Sequence, residues 1–584
     1  MAALDPITLE VVRHSLRAIL DEQDTNITRT AFSPLVYEIR DFCTALLDAE
    51  GNLISQGRMG IPIFLSDLGP PIRDGLEIYG KRGFAPGDAV MTNYAAVCGQ
   101  HLNNIVMYVP AFWKGELMAF VAVRMHWTDV GGRSIGLVSD TTEIFQEGVQ
   151  FRTVKLFNRG VLNEEIARII RHNVRMPEHI FGDMRAQLAA CRLGEARFVG
   201  LLERYGADTV LACVHEIWDR SERLAREQVA RLPDGEYYAE SFMDDDGVDV
   251  GVPVPIRVRV RIAGSDLTVD LSDVADQVRG PINSGTSAGM AAAKIAFKFL
   301  TTPHTPADEG CFRPLHVVLP PGKFISAREP APMSQWTLPL PTVIDTILHA
   351  IGQAAPERAI GGHQGALNTY QFFGVHPRTG RRFYELDNGV GGWGATAEAD
   401  GFGPAKSMVH GDTYNLPIEV EETMVPLRVR RFELRPDSGG PGRQRGGLGT
   451  IKEYEFTATT FLSPGFDRSQ CRPWGVCGGK PGAGNAIYYR ARPDGEAVLM
   501  NKATAVPAPP GATLLVLAAG GGGYGDPLER EPERVLADVC EGYVSPQSAR
   551  DDYGVALTAD GQAVDATATA ALRAHLRSVG QADA

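Results

Sequence analysis

CGQHLNNIVMYVPAFWKGELMAFVAVRMHWTDVGG, residues 98–132, is the stretch on which the reading of this chain turns. Ile105-Val106-Met107-Tyr108-Val109 is an apolar, strand-forming run, Trp113-Lys114-Gly115-Glu116 supplies a turn, and Leu117–Val123 runs back towards Arg124 and His126. A hairpin folded this way brings its two ends together. His101 and His126, with Asp129 just beyond, then share one mouth of a sheet. Imidazole plus carboxylate is a nitrogen and oxygen set suited to Zn, Mn or Fe.

Working outward, Asp5-Pro6 is expected to cap a first helix carrying Leu9, Val12, Leu16 and Leu20 at helical spacing. A strand-like segment, Tyr37–Asp48, follows, with Asp41 at its opening. A carboxylate entering an apolar strand needs a partner, either an arginine such as Arg40 or a metal. Residues 163–231 read as a helical segment, closed by Leu232-Pro233-Asp234-Gly235. Beyond it Ile256, Val258, Val260 and Ile262 alternate with arginines and turn into Leu267, Val269 and Leu271, a hairpin with one buried face. Helices are expected at Ser287–Leu300 and around Val343–Ile351, and a bulge at Arg430-Arg431 reconciles two phases of alternation. The fold class is α+β: a multi-lobed mixed chain with antiparallel sheets. Its expected divisions are 1–235, an N-terminal lobe with the metal site; 236–430, mixed; 431–530, β-rich; and 531–584, a helical tail.

The chain has 584 residues and a net charge of −14, from 71 acidic against 57 basic residues, with no long basic run. Nucleic acid and anionic membrane are therefore poor partners. No leader is evident in Met1–Pro6 and no apolar run reaches membrane-helix length, so a cytoplasmic location is expected. The eight cysteines are scattered, as reduced thiols would be, and the Cys471 and Cys477 spacing is not that of a zinc knuckle.

Several tempting motifs fail on context. Gly285-Thr286-Ser287-Ala288-Gly289 fits GxSxG, but Gly280-Pro281-Ile282-Asn283 is a poor preceding strand, and the stretch is better read as a helix start capped by Ser284 or Thr286. Gly520, Gly522 and Gly525 satisfy GxGxxG with Asp526-Pro527 directly behind, which suits a tight turn rather than a dinucleotide site. Gly479-Lys480 lacks the remainder of a phosphate loop. Asp244-Asp245-Asp246-Gly247 has the wrong flanks for a calcium loop and reads as a surface turn.

Taken in order, DPITLEVVRHSL, Arg40-Asp41-Phe42, HWTDVGG, TEIFQEG, DMRAQLAACRLGE, QVRGPINSG, DEGCFRPL, VPLRVRRFELRPDSGGPGR with GGLG, and GGGGYGDP make the chain resemble the hydantoinase B and oxoprolinase family over nearly its whole length. The resemblance implies one subunit of an ATP-dependent enzyme that opens cyclic amides, with related complexes carboxylating ketones instead. ATP would belong to a partner of the hydantoinase A type, in a hetero-oligomer such as α2β2. It also implies metal ligands at Asp41, His101 and His126, the histidines standing twenty-five residues apart as in relatives. Relatives usually carry aspartate where this chain has Asn104, whose neutral amide oxygen is the weaker ligand. Asp129 is expected to compensate, as a ligand or by orienting His126. Catalytic roles are accordingly expected for His101, His126 and Asp129.

Overall fold

The computed structural model describes residues 4–411 and 413–580. Met1–Ala3, part of the stretch read as leaderless, lie outside the described residues.

The N-terminal lobe is built on a seven-stranded antiparallel sheet of order β2-β1-β5-β4-β3-β6-β7: β1 (Phe42–Asp48), β2 (Leu53–Gln56), β3 (Ala89–Thr92), β4 (Asn104–Trp113), β5 (Glu116–His126), β6 (Val154–Asn158) and β7 (Val161–Leu162). The expected hairpin is β4–β5, with Asn104 opposite His126. Its strands read as continuous apolar runs because both faces are covered. Helices Pro6–Thr30 and Pro177–Tyr205 pack against the sheet, and Gln187 donates to the Ile105 and Val123 carbonyls at 2.9 and 2.8 Å. Asp5 caps the first helix through the Thr8 amide. The strand expected from Tyr37 is shorter than its sequence suggested: Pro34–Tyr37 is a helical turn, and β1 opens only after Asp41.

A second sheet joins β8 (Gly235–Met243), β9 (Val254–Ala263), β10 (Asp266–Asp270) and β11 (Leu315–Val318), with Ile256, Val258, Val260 and Ile262 buried beneath helix Pro339–Gly352. A third contains β12 (Thr369–Val375) and β13 (Arg382–Asn388), extended by Thr460–Gly465 and Val506–Ala508. The fourth carries Leu427–Leu434, Thr450–Phe456, Thr513–Leu517, Ala486–Arg490 and Val498–Leu499, and shows the expected bulge between Val429 and Arg431. Tyr370, Phe372, Tyr454, Phe456 and Phe466 form the core between these last two sheets. The largest apolar cluster runs from Leu9 to Val409, so one core spans the change of composition near residue 235. No helix among the described residues is long and apolar enough to cross a membrane.

The glycine-rich connections pack backbone on backbone. A Cβ on Gly394 would stand 1.6 Å from the Gly361 carbonyl oxygen, and one on Gly521 would stand 1.9 Å from that of Trp393. Gly520–Gly525, expected as a tight turn, is instead part of a mutual glycine clasp with 361–362, 392–394 and 439–449.

Two local readings are corrected. Helix Thr286–Thr301 has Gly285 at its N-cap with no side-chain cap, because Ser284 faces inward with its hydroxyl unpartnered. Nor is Asp244–Asp246 a surface turn. Asp246 is buried, while Asp244 accepts from the Ser469, Gln470 and Cys471 amides and thereby ties the second sheet to the β-rich region.

Gly99 joins that helix to the histidine loop. Its φ is +70°, its carbonyl accepts from the Gly285 amide at 2.9 Å, and a Cβ there would meet Ser287 Oγ at 2.5 Å. Gly99→Ala is expected to lose about 1–2 kcal/mol from the left-handed backbone alone, and more from the clash. A fall in the thermal unfolding midpoint, read by circular dichroism, checks this; an unchanged midpoint would refute it.

Candidate metal centre

Asp41, His126 and Asn104 come together because three adjacent strands end side by side. β1 pairs with β5 from Phe42 opposite Met125, and the Asp41 carbonyl accepts from the His126 amide at 3.1 Å. On the other flank Asn104 lies opposite His126 in β4. His101 precedes β4 by three residues, and its loop turns it onto His126, ring centroids 4.9 Å apart and nearly perpendicular. Arg40, at φ +66°, puts a left-handed residue directly before Asp41, with its guanidinium 4.5 Å over the Tyr414 ring.

These four side chains line a tight cavity of about 20 Å³, room for about one water. Its other walls are mainly apolar, with Phe64, Leu137, Trp336, Leu367 and Leu386 contributing, and His410 faces it from the middle region. The site is thus mostly desolvated. Burial pushes the Asp41 carboxyl up to about 7, against the pull of the Lys406 ammonium. It pushes His101 down to about 4, while His126 lies well below the usual imidazole range, held there by burial and by His101. His410 is likewise depressed, by burial and by Lys406.

Neutral imidazoles are what a metal binds, and the tautomer of His101 is fixed. Its Nδ1 lies 3.3 Å from the Ser334 carbonyl, which can only accept, so Nδ1 carries the proton and the lone pair sits on Nε2. Ser334 is itself held by Glu147, which accepts from the Met333 and Ser334 amides and from the Thr141 hydroxyl. Asn104 is oriented in the same manner. Its amide nitrogen donates to Gln100 Oε1 at 2.7 Å, Gln100 Nε2 donates to Asp67, and Asp67 pairs with Arg124. With its donor so engaged, Asn104 presents its oxygen.

Among the buried lining atoms without a hydrogen-bond partner are His101 Nε2, both His126 nitrogens and Asn104 Oδ1, with His410 Nδ1, Trp336 Nε1, Thr337 Oγ1 and Thr369 Oγ1 around them. An unmet buried polar atom costs about 1–3 kcal/mol. The donor set, with Asp41 beside it, fits a divalent transition metal. The fit requires some closing up. Among the described residues, Glu385, Asp387 and Glu421 form the only trio of His, Cys, Asp or Glu whose ligand atoms all lie within 4.8 Å of one another. The Asp41 carboxylate, which nothing nearby hydrogen-bonds, has the freedom to turn inward. The Glu385 trio already has its cation: Lys452 Nζ lies 2.7 Å from Asp387 and 3.1 Å from Glu421.

Asp129 does not join the cavity. Its carboxylate accepts from the Gly131 amide at 3.0 Å and from the backbone and guanidinium of Arg175, and it makes no hydrogen bond to His126. The residue expected to compensate for Asn104 instead pins the loop after β5. Ser287, in the GxSxG stretch, donates to the Cys98 carbonyl at 2.6 Å. His410 escaped the sequence reading because nothing in its neighbourhood has ligand spacing; only the fold brings it to the cavity.

Breaking the Arg124–Asp67 pair is expected to be severe: Asp67→Ala leaves a fully buried guanidinium uncompensated, a loss of roughly 3–5 kcal/mol, together with weaker metal retention. Denaturation and elemental analysis of the variant test this, and wild-type stability would refute it. Asn104→Asp should bind metal more tightly, since a carboxylate replaces a neutral oxygen beside a cation. Chelator competition reads the difference; equal loss of metal from parent and variant would place Asn104 outside the coordination shell.

The sequence profile of the hydantoinase B/oxoprolinase family matches residues 5–527. The chain is 33% identical over 585 residues to the B-type subunit of a putative D-/L-hydantoinase of Pseudomonas sp. strain NS671, covering 98% of each chain. It is 35% identical to the beta subunit of the caprolactamase of Pseudomonas jessenii, covering 98% of this chain and 100% of that one. The crystal structure of the ATP-dependent caprolactamase of Pseudomonas jessenii superposes with a TM-score of 0.91 at 33% identity, over 98% of this chain and 100% of that chain. With a family profile spanning most of its length and relatives of matching size, the chain belongs to the hydantoinase B/oxoprolinase family.

Proposed function

We propose that this chain is the metal-binding subunit of an ATP-dependent cyclic-amide hydrolase, working on a carbonyl-phosphorylated intermediate made by a partner ATPase subunit of the hydantoinase A type. The observation that carries the reading is the cavity itself, in which unpartnered imidazole nitrogens and an amide oxygen face a mainly apolar chamber beside Asp41. The division of labour follows from the chemistry. An unstrained amide is a poor electrophile, and phosphorylation of its oxygen makes the carbon attackable. Two of the relatives are themselves named as single subunits, of a hydantoinase and of a caprolactamase, which supports a partner.

Asp41, His101, Asn104 and His126 would hold the ion, Zn, Mn or Fe. When bound it would supply Lewis acidity and a water of lowered pKa. The chain's own contributions are separate from that. Ser334 fixes the His101 tautomer and Gln100 fixes the Asn104 oxygen. Phe64, Trp336 and Leu386 keep bulk water from the donor atoms. His410, neutral and with Nδ1 unpartnered, stands where it can take or give a proton across the cavity.

The purified chain is expected to hold about one metal ion, and His101→Ala or His126→Ala should remove most of it with the fold retained; stoichiometric metal in the double variant would sink the assignment. Alone, the chain should neither bind ATP tightly nor open caprolactam or hydantoin, with activity appearing only on addition of a hydantoinase A-like partner and disappearing with chelator. Ring opening by the lone chain without ATP or metal would end the proposal.

A further inference from the structure

A second concavity lies beyond the metal cavity, along the same strand. It is an open cleft of about 450 Å³ where the β12–β13 hairpin faces the segment after β5 and helix Pro177–Tyr205. Arg378, Arg381 and Arg382, from the hairpin tip and the start of β13, line it with His179 and His376. In a chain of net charge −14 this is a concentrated patch of positive charge. Among the described residues these arginines' side chains make no ion pair; their hydrogen bonds are backbone ones, Arg378 N to His376 Nδ1 at 3.2 Å and Arg381 N to Thr379 Oγ1 at 3.3 Å. The first of these bonds fixes a tautomer. Because His376 Nδ1 accepts, its proton sits on Nε2, which leaves this buried ring a donor.

Another observation points to a ligand. Thr128 lines the cleft at 2% exposure, and its hydroxyl has no partner. A buried unmatched hydroxyl and unpaired guanidiniums lining one cleft are donors without an acceptor. Phosphoryl oxygens are the acceptors that arginine forks match best. The remaining wall is apolar, with Met176, Phe383 and Met424, so the cleft offers one anionic and one greasy half.

Its location ties it to the metal cavity. Arg382, Tyr384 and Leu386 alternate along one face of β13; the first two line the cleft and the third lines the cavity. Four residue steps along the strand take Arg382 to Leu386, roughly 13 Å. Thr128 stands two residues beyond His126.

We propose that this cleft binds a small phosphorylated compound with an apolar body, receiving the activated ring through its phosphoryl group before that ring reaches the metal cavity. The identification of the ring as substrate rests on the function proposed above; the anion site itself does not. Three donor sources would hold the phosphoryl group: the guanidiniums, His376 Nε2 and Thr128 Oγ1.

The test uses the full chain alone, with phenyl phosphate, inorganic phosphate and phenol as probes in titration calorimetry. Phenyl phosphate should bind more tightly than inorganic phosphate, and phenol weakly or not at all. Replacing all three arginines by alanine, at exposed positions that leave the core intact, should weaken phenyl phosphate at least tenfold, and Thr128→Val should weaken it several-fold. The double variant His101→Ala, His126→Ala should bind it as the parent does. Wild-type affinity in the triple-arginine variant would overturn the proposal. Equal affinity for inorganic and phenyl phosphate would overturn it in favour of a free-phosphate site. Undiminished phenyl phosphate binding combined with loss of partner association would overturn it in favour of an acidic protein surface. Normal binding in a chain whose complete complex opens no cyclic amide would leave the cleft standing and remove the proposed function.

Discussion

The candidate metal centre depends on an ion pair that never touches the cavity's contents. Arg124 and Asp67 are both fully buried, and burial alone would push the Asp67 carboxyl up and strip charge from both partners. Burial leaves the Asp67 carboxyl above its usual range even against the pull of Arg124, and the pair acts in two directions. Through Gln100 it turns Asn104 so that its oxygen, rather than its nitrogen, faces His101 and His126. Through the guanidinium over Phe64, 4.9 Å from the ring centroid, it supports an aromatic stack that passes to Trp336 and on to the edge of His101. A buried ion pair is weak evidence of net stability. Its value here is orientation, since two donor side chains are aimed by one fixed charge.

The surroundings use the same economy. An apolar chamber makes every unpaired polar atom costly, and the fold leaves several of them in one place. Desolvation keeps the imidazoles neutral and ready to donate a lone pair. It also leaves Asp41 as the one nearby acid facing the histidines, with Lys406 as its counterweight. Glu147 and Ser334 complete the frame from the opposite side, so that His101 is held by a loop more than two hundred residues away in sequence.

What the sequence revealed follows the range of the forces involved. The β4–β5 hairpin was legible because an apolar run, a turn and a second apolar run are local signals, and the Val429–Arg431 bulge was legible because alternation changes phase there. The meeting of His101 and His126 was legible from the hairpin pattern, Asp41 was added by family resemblance, and strand register explains both. Asn104's orientation was not legible, because it is set by Asp67 and Arg124 at long sequence separation. Asp129 misled for the opposite reason: it adjoins His126 in sequence, yet Arg175 claims its carboxylate. His410 and the arginine cleft carry no spacing signal at all. Asp244 looked like part of a turn, and its partners at Ser469–Cys471 could not be foreseen from its neighbours.

The glycine clasp between 361–362, 392–394, 439–449 and 520–525 bears on how such a protein can change. Most contacts there are between two main chains, at distances where even one methyl group has no room. A glycine codon altered at either of its first two bases encodes a residue with a side chain or a stop. The region therefore has no conservative neighbours in sequence space, and a mutant library spread evenly over the gene would lose many of its members at these few codons. Variation directed to the β12–β13 tip or the cavity's apolar walls avoids that toll.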